Sequence, residues 1–180
     1  RNYSIPYSLF LYTAFVMKYL LIIIGAMLFV GCAITPSPES VTAKAPEISI
    51  HDAVAKGNIE AVKYYLINGT KVDAMTDDGW TLLQFAAGEG QKEIAELLIE
   101  KGADVNAITD DGLTALFAAI LGPHKLIVKL LISKGADVNV RGFLAMTPLN
   151  MANDEGQKEI ADLLSEHGGK TSEELKAKGE

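Results

Sequence analysis

The apolar positions between residues 75 and 107 follow a helical period in two successive stretches. Thr81 opens the first stretch, and the positions that repeat after it are Leu83, Ala86 and Ala87. This spacing predicts a short helix with Thr81 as its N-cap. Its small side chains are expected to let a neighbouring helix approach closely.

A second helix is predicted from Glu93 to Lys101. Its apolar stripe consists of Ile94, Leu97 and Leu98, whereas charged side chains occupy the other face. Gly102 follows directly, and glycine commonly ends a helix because it tolerates a positive φ. The two stretches together predict a helix-turn-helix unit whose second helix has one face in water.

This unit returns after 33 residues in the sequence. A strict period of this length indicates stacked units that cover one another's apolar faces. The dipeptides Asp78-Gly79 and Asp111-Gly112 are typical of turns and predict hairpin-like loops between the units. The positions that return are Gly79, Thr81, Leu83, Ala86, Ile94, Leu97, Leu98, Gly102, Asp104 and Asn106, as Gly112, Thr114, Leu116, Ala119, Ile127, Leu130, Leu131, Gly135, Asp137 and Asn139.

The repeated unit resembles the ankyrin repeat, which is a turn followed by two antiparallel helices. The resemblance implies an all-α repeat solenoid of about four helix-turn-helix units joined by hairpin-like loops, over residues 48–169. The first unit lacks the hairpin and the threonine, as expected of an end repeat with one neighbour. The predicted units are 48–74, 75–107, 108–140 and 141–169, and a charged tail follows over 170–180.

Two departures from the family pattern affect local structure. Gly122-Pro123-His124 replaces Glu89-Gly90-Gln91, and proline cannot continue a helix, so we expect the turn between the helices to move back by one residue. The second departure concerns a position where the family favours histidine, which leaves open whether the usual side-chain to backbone bond forms. That position holds Gln84, Phe117 and Asn150.

The first 31 residues have a different pattern. Residues 1–16 precede Met17, and we expect them to be untranslated or disordered. From Met17, a lysine, the apolar run Leu20 to Val30 and Gly31-Cys32 follow in the order of a signal peptide over 17–31. Phe29-Val30-Gly31-Cys32 resembles the lipobox of bacterial lipoproteins, which implies cleavage before Cys32 and a lipid on its thiol.

Two alternatives to this lipoprotein signal stay open. Leu9 to Val30 is long enough for an uncleaved transmembrane anchor, although Lys18 near its middle costs about 2.5 to 3.5 kcal/mol in a bilayer. The protein is soluble if the segment has no membrane role.

Cys32 is the single cysteine of the chain, so no internal disulfide can form. Residues 32–47 contain Pro36, Pro38 and Pro46 among small and polar residues, which predicts a flexible, lipid-anchored linker. The lipoprotein resemblance, with Ala33 after the cysteine, implies a cell-envelope location. In a Gram-negative host this is the periplasmic face of the outer membrane.

The charge of the chain excludes some classes of partner. The whole sequence has a net charge of −7, and after removal of residues 1–31, which hold two basic residues and no acidic ones, 14 basic and 23 acidic residues give −9. An acidic domain is a poor ligand for nucleic acids or anionic headgroups. We therefore expect no nucleic-acid partner.

No constellation of catalytic or metal-binding residues is apparent in the sequence. His51, His124 and His167 occupy unrelated positions in different repeats, which favours surface or turn roles. The acid pairs recur at turn positions, where aspartate is favoured for its backbone bonds. We predict neither an enzyme nor a cofactor, a metal or a small-molecule substrate.

The resemblance implies that an unidentified partner protein binds the concave side, formed by hairpin tips and first helices. We therefore predict a noncatalytic protein-protein interaction module, exported and membrane-anchored. An inhibitor or immunity protein that blocks an enzyme or toxin is one alternative, and a hydrolase or metal-binding protein is another. Whether the apolar candidates instead pack against their own hairpins stays open. The candidate binding residues are Trp80, Leu113, Met146, Leu121, Asp77, Asp78, Asp110 and Asp111.

Overall fold

The computed structural model of the chain describes residues 46–76, 79–142, 145–177 and 179. The predictions for 1–16, for the signal peptide 17–31 and for Cys32 lie outside these residues, as does most of the linker. Asp77 and Asp78 lie outside them as well.

The described residues form helices in pairs, one pair in each predicted repeat, followed by a last short helix. A single isolated bridge, Met75 to Thr81, is the extended pairing among them. The predicted all-α repeat architecture is therefore confirmed. In chain order the helices are α1 (Ile50–Ala55), α2 (Ile59–Ile67), α3 (Leu82–Gly88), α4 (Lys92–Glu100), α5 (Ala115–Leu121), α6 (Lys125–Ser133), α7 (Pro148–Asp154), α8 (Lys158–Glu166) and α9 (Ser172–Ala177).

A hydroxyl side chain begins each first helix. The side chain of Thr81 accepts a hydrogen bond from the backbone N–H of Gln84, and the side-chain oxygen of Gln84 accepts one from the Thr81 N–H, which completes a capping box. Thr114 and Thr147 have the same position in the next repeats, and Ser49 replaces them before α1. The predicted N-cap at Thr81 is confirmed, and Gly102, with a φ of 93°, follows the end of α4 as predicted.

The core lies between two layers of helices. First helices α1, α3, α5 and α7 pack on one another in chain order, and second helices α2, α4, α6 and α8 do the same. Ala86, Ala87 and Ala119 are fully buried in the first layer, where their small side chains allow close helix contact. The sequence prediction for this face is confirmed.

The apolar stripe of α4 differs from the predicted one. Ile94, Ala95 and Leu98 are buried, whereas Leu97 is only partly buried. Leu97 lies on the flank of the helix and lines a cleft of about 310 Å³ with Leu66, Ile67, Lys63 and Lys101. The prediction of Leu97 as a buried residue was therefore wrong, because a single helix does not reveal the position of its neighbour.

The predicted shift of the turn in the third repeat was also wrong. Helix α5 ends at Leu121, which is 33 residues after the end of α3 at Gly88. The His124 N–H donates to the Ala119 carbonyl at 2.8 Å, as the Gln91 N–H donates to the Ala86 carbonyl at 2.9 Å. This bond fixes the same turn in both repeats, with Pro123 in the place of Gly90.

A ladder of side-chain to backbone bonds joins neighbouring repeats. The Asn106 side chain accepts from the Asp137 N–H at 2.8 Å and donates to the Gly135 carbonyl at 3.1 Å. Asn139 makes the matching bonds to the Lys170 N–H and the Gly168 carbonyl. Both asparagines lie in turns, and each also links one repeat to the next.

The array continues past its fourth repeat. The tail predicted over 170–180 contains α9, whose Leu175 is only 4% exposed. The Thr171 side chain accepts from the Glu174 N–H at 3.3 Å, and Glu174 accepts from the Thr171 N–H at 2.7 Å. This capped helix covers the end of the last repeat.

Candidate functional site

Matching hairpin loops place one large apolar residue before each of three first helices. The Thr76 N–H donates to the Trp80 carbonyl at 2.9 Å, and the Thr109 N–H donates to the Leu113 carbonyl at 2.9 Å. In the fourth repeat, the Gly142 N–H donates to the Met146 carbonyl at 3.0 Å. These bonds give Trp80, Leu113 and Met146 equivalent positions in successive repeats.

Two clefts lie along the first helices, and Leu121 lines both of them. We call the two clefts together the first-helix groove. The first cleft, of about 390 Å³, is lined by Trp80, Gln84, Phe85, Gly88, Glu89, Ala118, Leu121 and Gly122. The second cleft, of about 430 Å³, is lined by Asp111, Leu113, Leu121, Met146, Met151, Asp154 and Glu155.

The structure brings most of the candidate binding residues to this groove. Five of them line it, and Asp110 is exposed in the hairpin beside it. Leu121, the last residue of α5, is 50% exposed. The five are Trp80, Leu113, Leu121, Met146 and Asp111.

Trp80 is held by its own repeat and also lines the groove. Its indole ring centroid lies 5.8 Å from that of Phe85 at 56°, and the backbone N–H of Trp80 donates to the Thr76 hydroxyl at 3.2 Å. The side chain is half-buried. Trp80 therefore packs partly against its own repeat and presents the rest of its surface to the first cleft.

Gln84 positions the next hairpin from the floor of the first cleft. Its amide nitrogen donates to the carbonyls of Ala107 and Leu113, both at 3.0 Å. The side-chain to backbone bond that the sequence left open is therefore made by Gln84. Asn150 instead accepts from the Ser172 N–H at 2.8 Å, and Phe117 is buried with no polar atom to share.

Sequence reasoning missed Phe85, Met151, Glu89, Asp154 and Glu155. The 33-residue period contains a signal that would find them, because twelve of the fourteen described residues that line the groove occupy the same four positions in three successive units, Gln84 and Asp111 being the other two. The side chains at these positions differ widely in size and charge from one repeat to the next. They are Trp80, Leu113 and Met146; Phe85, Ala118 and Met151; Gly88, Leu121 and Asp154; and Glu89, Gly122 and Glu155.

The charges of the groove differ from those on the second helices. Neither cleft has a lysine or arginine among its described lining residues, whereas Glu89, Asp111, Asp154 and Glu155 are exposed at its edges. On the second helices, the Lys125 ammonium donates to Glu159 at 2.8 Å. This hydrogen bond and the charge of Lys125 lower the pKa of Glu159 below its ordinary value of 4.5.

The histidines have separate structural surroundings. The His124 ring lies 2.9 Å from the Gly88 carbonyl and the His167 ring 2.9 Å from the Leu163 carbonyl, while the His51 ring packs edge-on against Phe85. Within the described ranges, no three His, Cys, Asp or Glu side chains form a group able to hold a metal. The described part of the chain also contains no helix of the length and apolar character needed to cross a membrane.

Stacked helix pairs with a groove along their first helices define a class of helical repeat proteins that bind other proteins. The family model for ankyrin repeats in three copies matches residues 50–142, just over half of the chain. The chain belongs to the ankyrin repeat family, and its repeats suggest a protein-interaction module. A search of curated proteins gave no significant match.

Proposed function

We propose that the chain is an exported, noncatalytic module that binds a partner protein through the first-helix groove. The observation that carries this proposal is the groove itself, in which a half-exposed leucine joins two apolar clefts. Aromatic residues and methionine are enriched at protein-protein interfaces, and tryptophan is enriched among the residues that dominate binding.

Photo-crosslinking from single positions tests this use of the groove. A crosslinking amino acid at Leu121, which is 50% exposed, should capture a defined partner in the cell envelope. The same amino acid at Leu126, 65% exposed on α6 and outside both clefts, is the matched control. Capture from Leu126 with an equal or higher yield would show that the groove is not the binding surface.

The identity of the captured protein separates two forms of the proposal. An envelope structural protein would identify a scaffold. An enzyme or toxin whose activity falls on binding would identify the inhibitor or immunity alternative, in which the same groove blocks an active site.

The proposed membrane attachment is a lipid on Cys32. It is supported by the sequence order of Lys18, an apolar run and Gly31-Cys32. Attachment by acyl chains places the module in the cell envelope, on the periplasmic face of the outer membrane in a Gram-negative host. Cys32→Ser should abolish acyl labelling and move the protein out of the membrane pellet or leave it uncleaved. Unchanged labelling would refute the anchor and leave the binding proposal intact.

A further inference from the structure

Four carboxylates border the first-helix groove. Glu89 lines the first cleft beside Trp80, and Asp111, Asp154 and Glu155 line the second. All four are exposed, and none takes part in the ion pairs that the described residues make with one another, which are Lys63–Glu60, Lys92–Glu96 and Lys125–Glu159. The edge of the groove is therefore negative without a neighbouring cation in its lining.

The floor of the groove is apolar and partly adaptable. Trp80 and Phe85 supply aromatic surface in the first cleft, and Met146 and Met151 supply thioether side chains in the second. Methionine is unbranched and polarizable, so it adjusts to apolar side chains of different shapes. Leu121 stands between the two clefts, so an occupant must place one apolar group on each side of it.

We infer that the occupant is a cationic amphipathic segment of the partner protein. Its apolar side chains enter the two clefts on either side of Leu121, and its lysine or arginine side chains face the four carboxylates. This inference rests on the proposed function, because it names the chemistry that the same groove selects. Complementary charge at the edge of an interface raises the association rate and rejects acidic partners. Apolar residues spaced along one helical face are a common way to fill such a groove.

Designed peptides test the inference, with Trp80 as the reporter. Trp80 is the only tryptophan of the full chain and lines the first cleft, so a peptide without tryptophan can be followed by its emission. The probe is a leucine-lysine amphipathic helix of about 18 residues, or five turns. We expect it to change the Trp80 emission with an affinity that weakens as salt is raised. A glutamate version and a scrambled lysine version should each bind at least roughly tenfold more weakly.

Variants of the full chain locate the effect on the groove. Asp154→Asn with Glu155→Gln should weaken binding of the lysine peptide several-fold. The matched control is Glu93→Gln with Glu100→Gln, which makes the same change in net charge on exposed positions of α4 and should leave binding unchanged. Thermal melting by circular dichroism confirms that both variants are folded.

The outcomes separate this inference from the proposed function. Equal binding of the lysine and glutamate peptides, or equal effects of the two variant pairs, would overturn the cationic partner. The same holds if no peptide changes the Trp80 emission. Crosslinking from Leu121 would still support the proposed function in each of these cases, whereas its failure would remove both.

Discussion

Phe117 and Gly142 form a matched pair across the third and fourth repeats. Phe117 is fully buried at the position that Gln84 occupies one repeat earlier, and Gly142 occupies the position of Thr109. A Cβ on Gly142 would lie 2.4 Å from Cε2 of Phe117 and 2.5 Å from the Gly112 carbonyl oxygen. Both distances are shorter than real contacts, so the phenylalanine ring and the Gly112 backbone each oppose a side chain at position 142.

The pair predicts a specific coupling between two substitutions. Gly142→Thr restores the residue found in the preceding repeat, but beside Phe117 it should overpack the core and cost about 1 to 3 kcal/mol. Phe117→Gln should cost about 3 kcal/mol because it removes a buried ring. The double variant recreates the Gln84 and Thr109 combination. It should therefore be about 1 to 2 kcal/mol more stable than the sum of the single effects.

Denaturant unfolding followed by circular dichroism measures the four free energies of this cycle. Phe117→Gln combined with Glu100→Ala is the control, because Glu100 is exposed on α4 and its effect should be additive. Additivity of Phe117→Gln and Gly142→Thr within about 0.5 kcal/mol would refute the steric explanation.

Three further predictions concern packing, backbone strain and charge. Leu98→Ala should cost about 2 to 5 kcal/mol in unfolding free energy, whereas Leu97→Ala should cost clearly less because its side chain is only partly buried; equal costs would contradict the burial. Ala145→Gly should raise the unfolding free energy by about 1 kcal/mol, because Ala145 has a φ of 59° at a position where earlier repeats have glycine. An unfolding free energy below that of the unchanged protein would contradict this reason. The stabilisation that Glu159 contributes is present above pH 4.5 and is lost as the pH falls through its lowered folded-state pKa. Lys125→Met should return the pKa of Glu159 toward 4.5, as measured by NMR titration, and an unchanged pKa would exclude Lys125 as the cause.

The period of the sequence determines much of the fold, because each unit covers the next with the same residues. Thr81 and Gly102 therefore have the roles that their local chemistry predicts. Leu97 and Pro123 do not, because both depend on contacts or bonds that the local pattern leaves unspecified. The exposure of Leu97 depends on α2, and the backbone at Pro123 follows the bond from His124 to Ala119.

Trp80, Leu113 and Met146 could be found from their place after each hairpin, and Asp111 from its place at a hairpin tip, but the other three carboxylates of the edge could not. Asp154 and Glu155 come at the end of α7, and their distance along the sequence from Asp111 hides the fact that they line the same cleft. Two stacked repeats must be compared position by position before this set appears.

The side-chain to backbone bonds of the ladder all run from one repeat to the next repeat on its C-terminal side. The ladder starts at Asp73, which accepts from the Asp104 N–H, and continues through Asn106 and Asn139, each binding backbone groups on its C-terminal side. The next position in the 33-residue period is Ser172, at the start of α9. Its backbone N–H instead donates to the side chain of Asn150. Among the described residues, the last bond of the ladder is therefore the one that Asn139 makes. A designed fifth repeat would need an asparagine at position 172 and would have to displace α9 before it could stack.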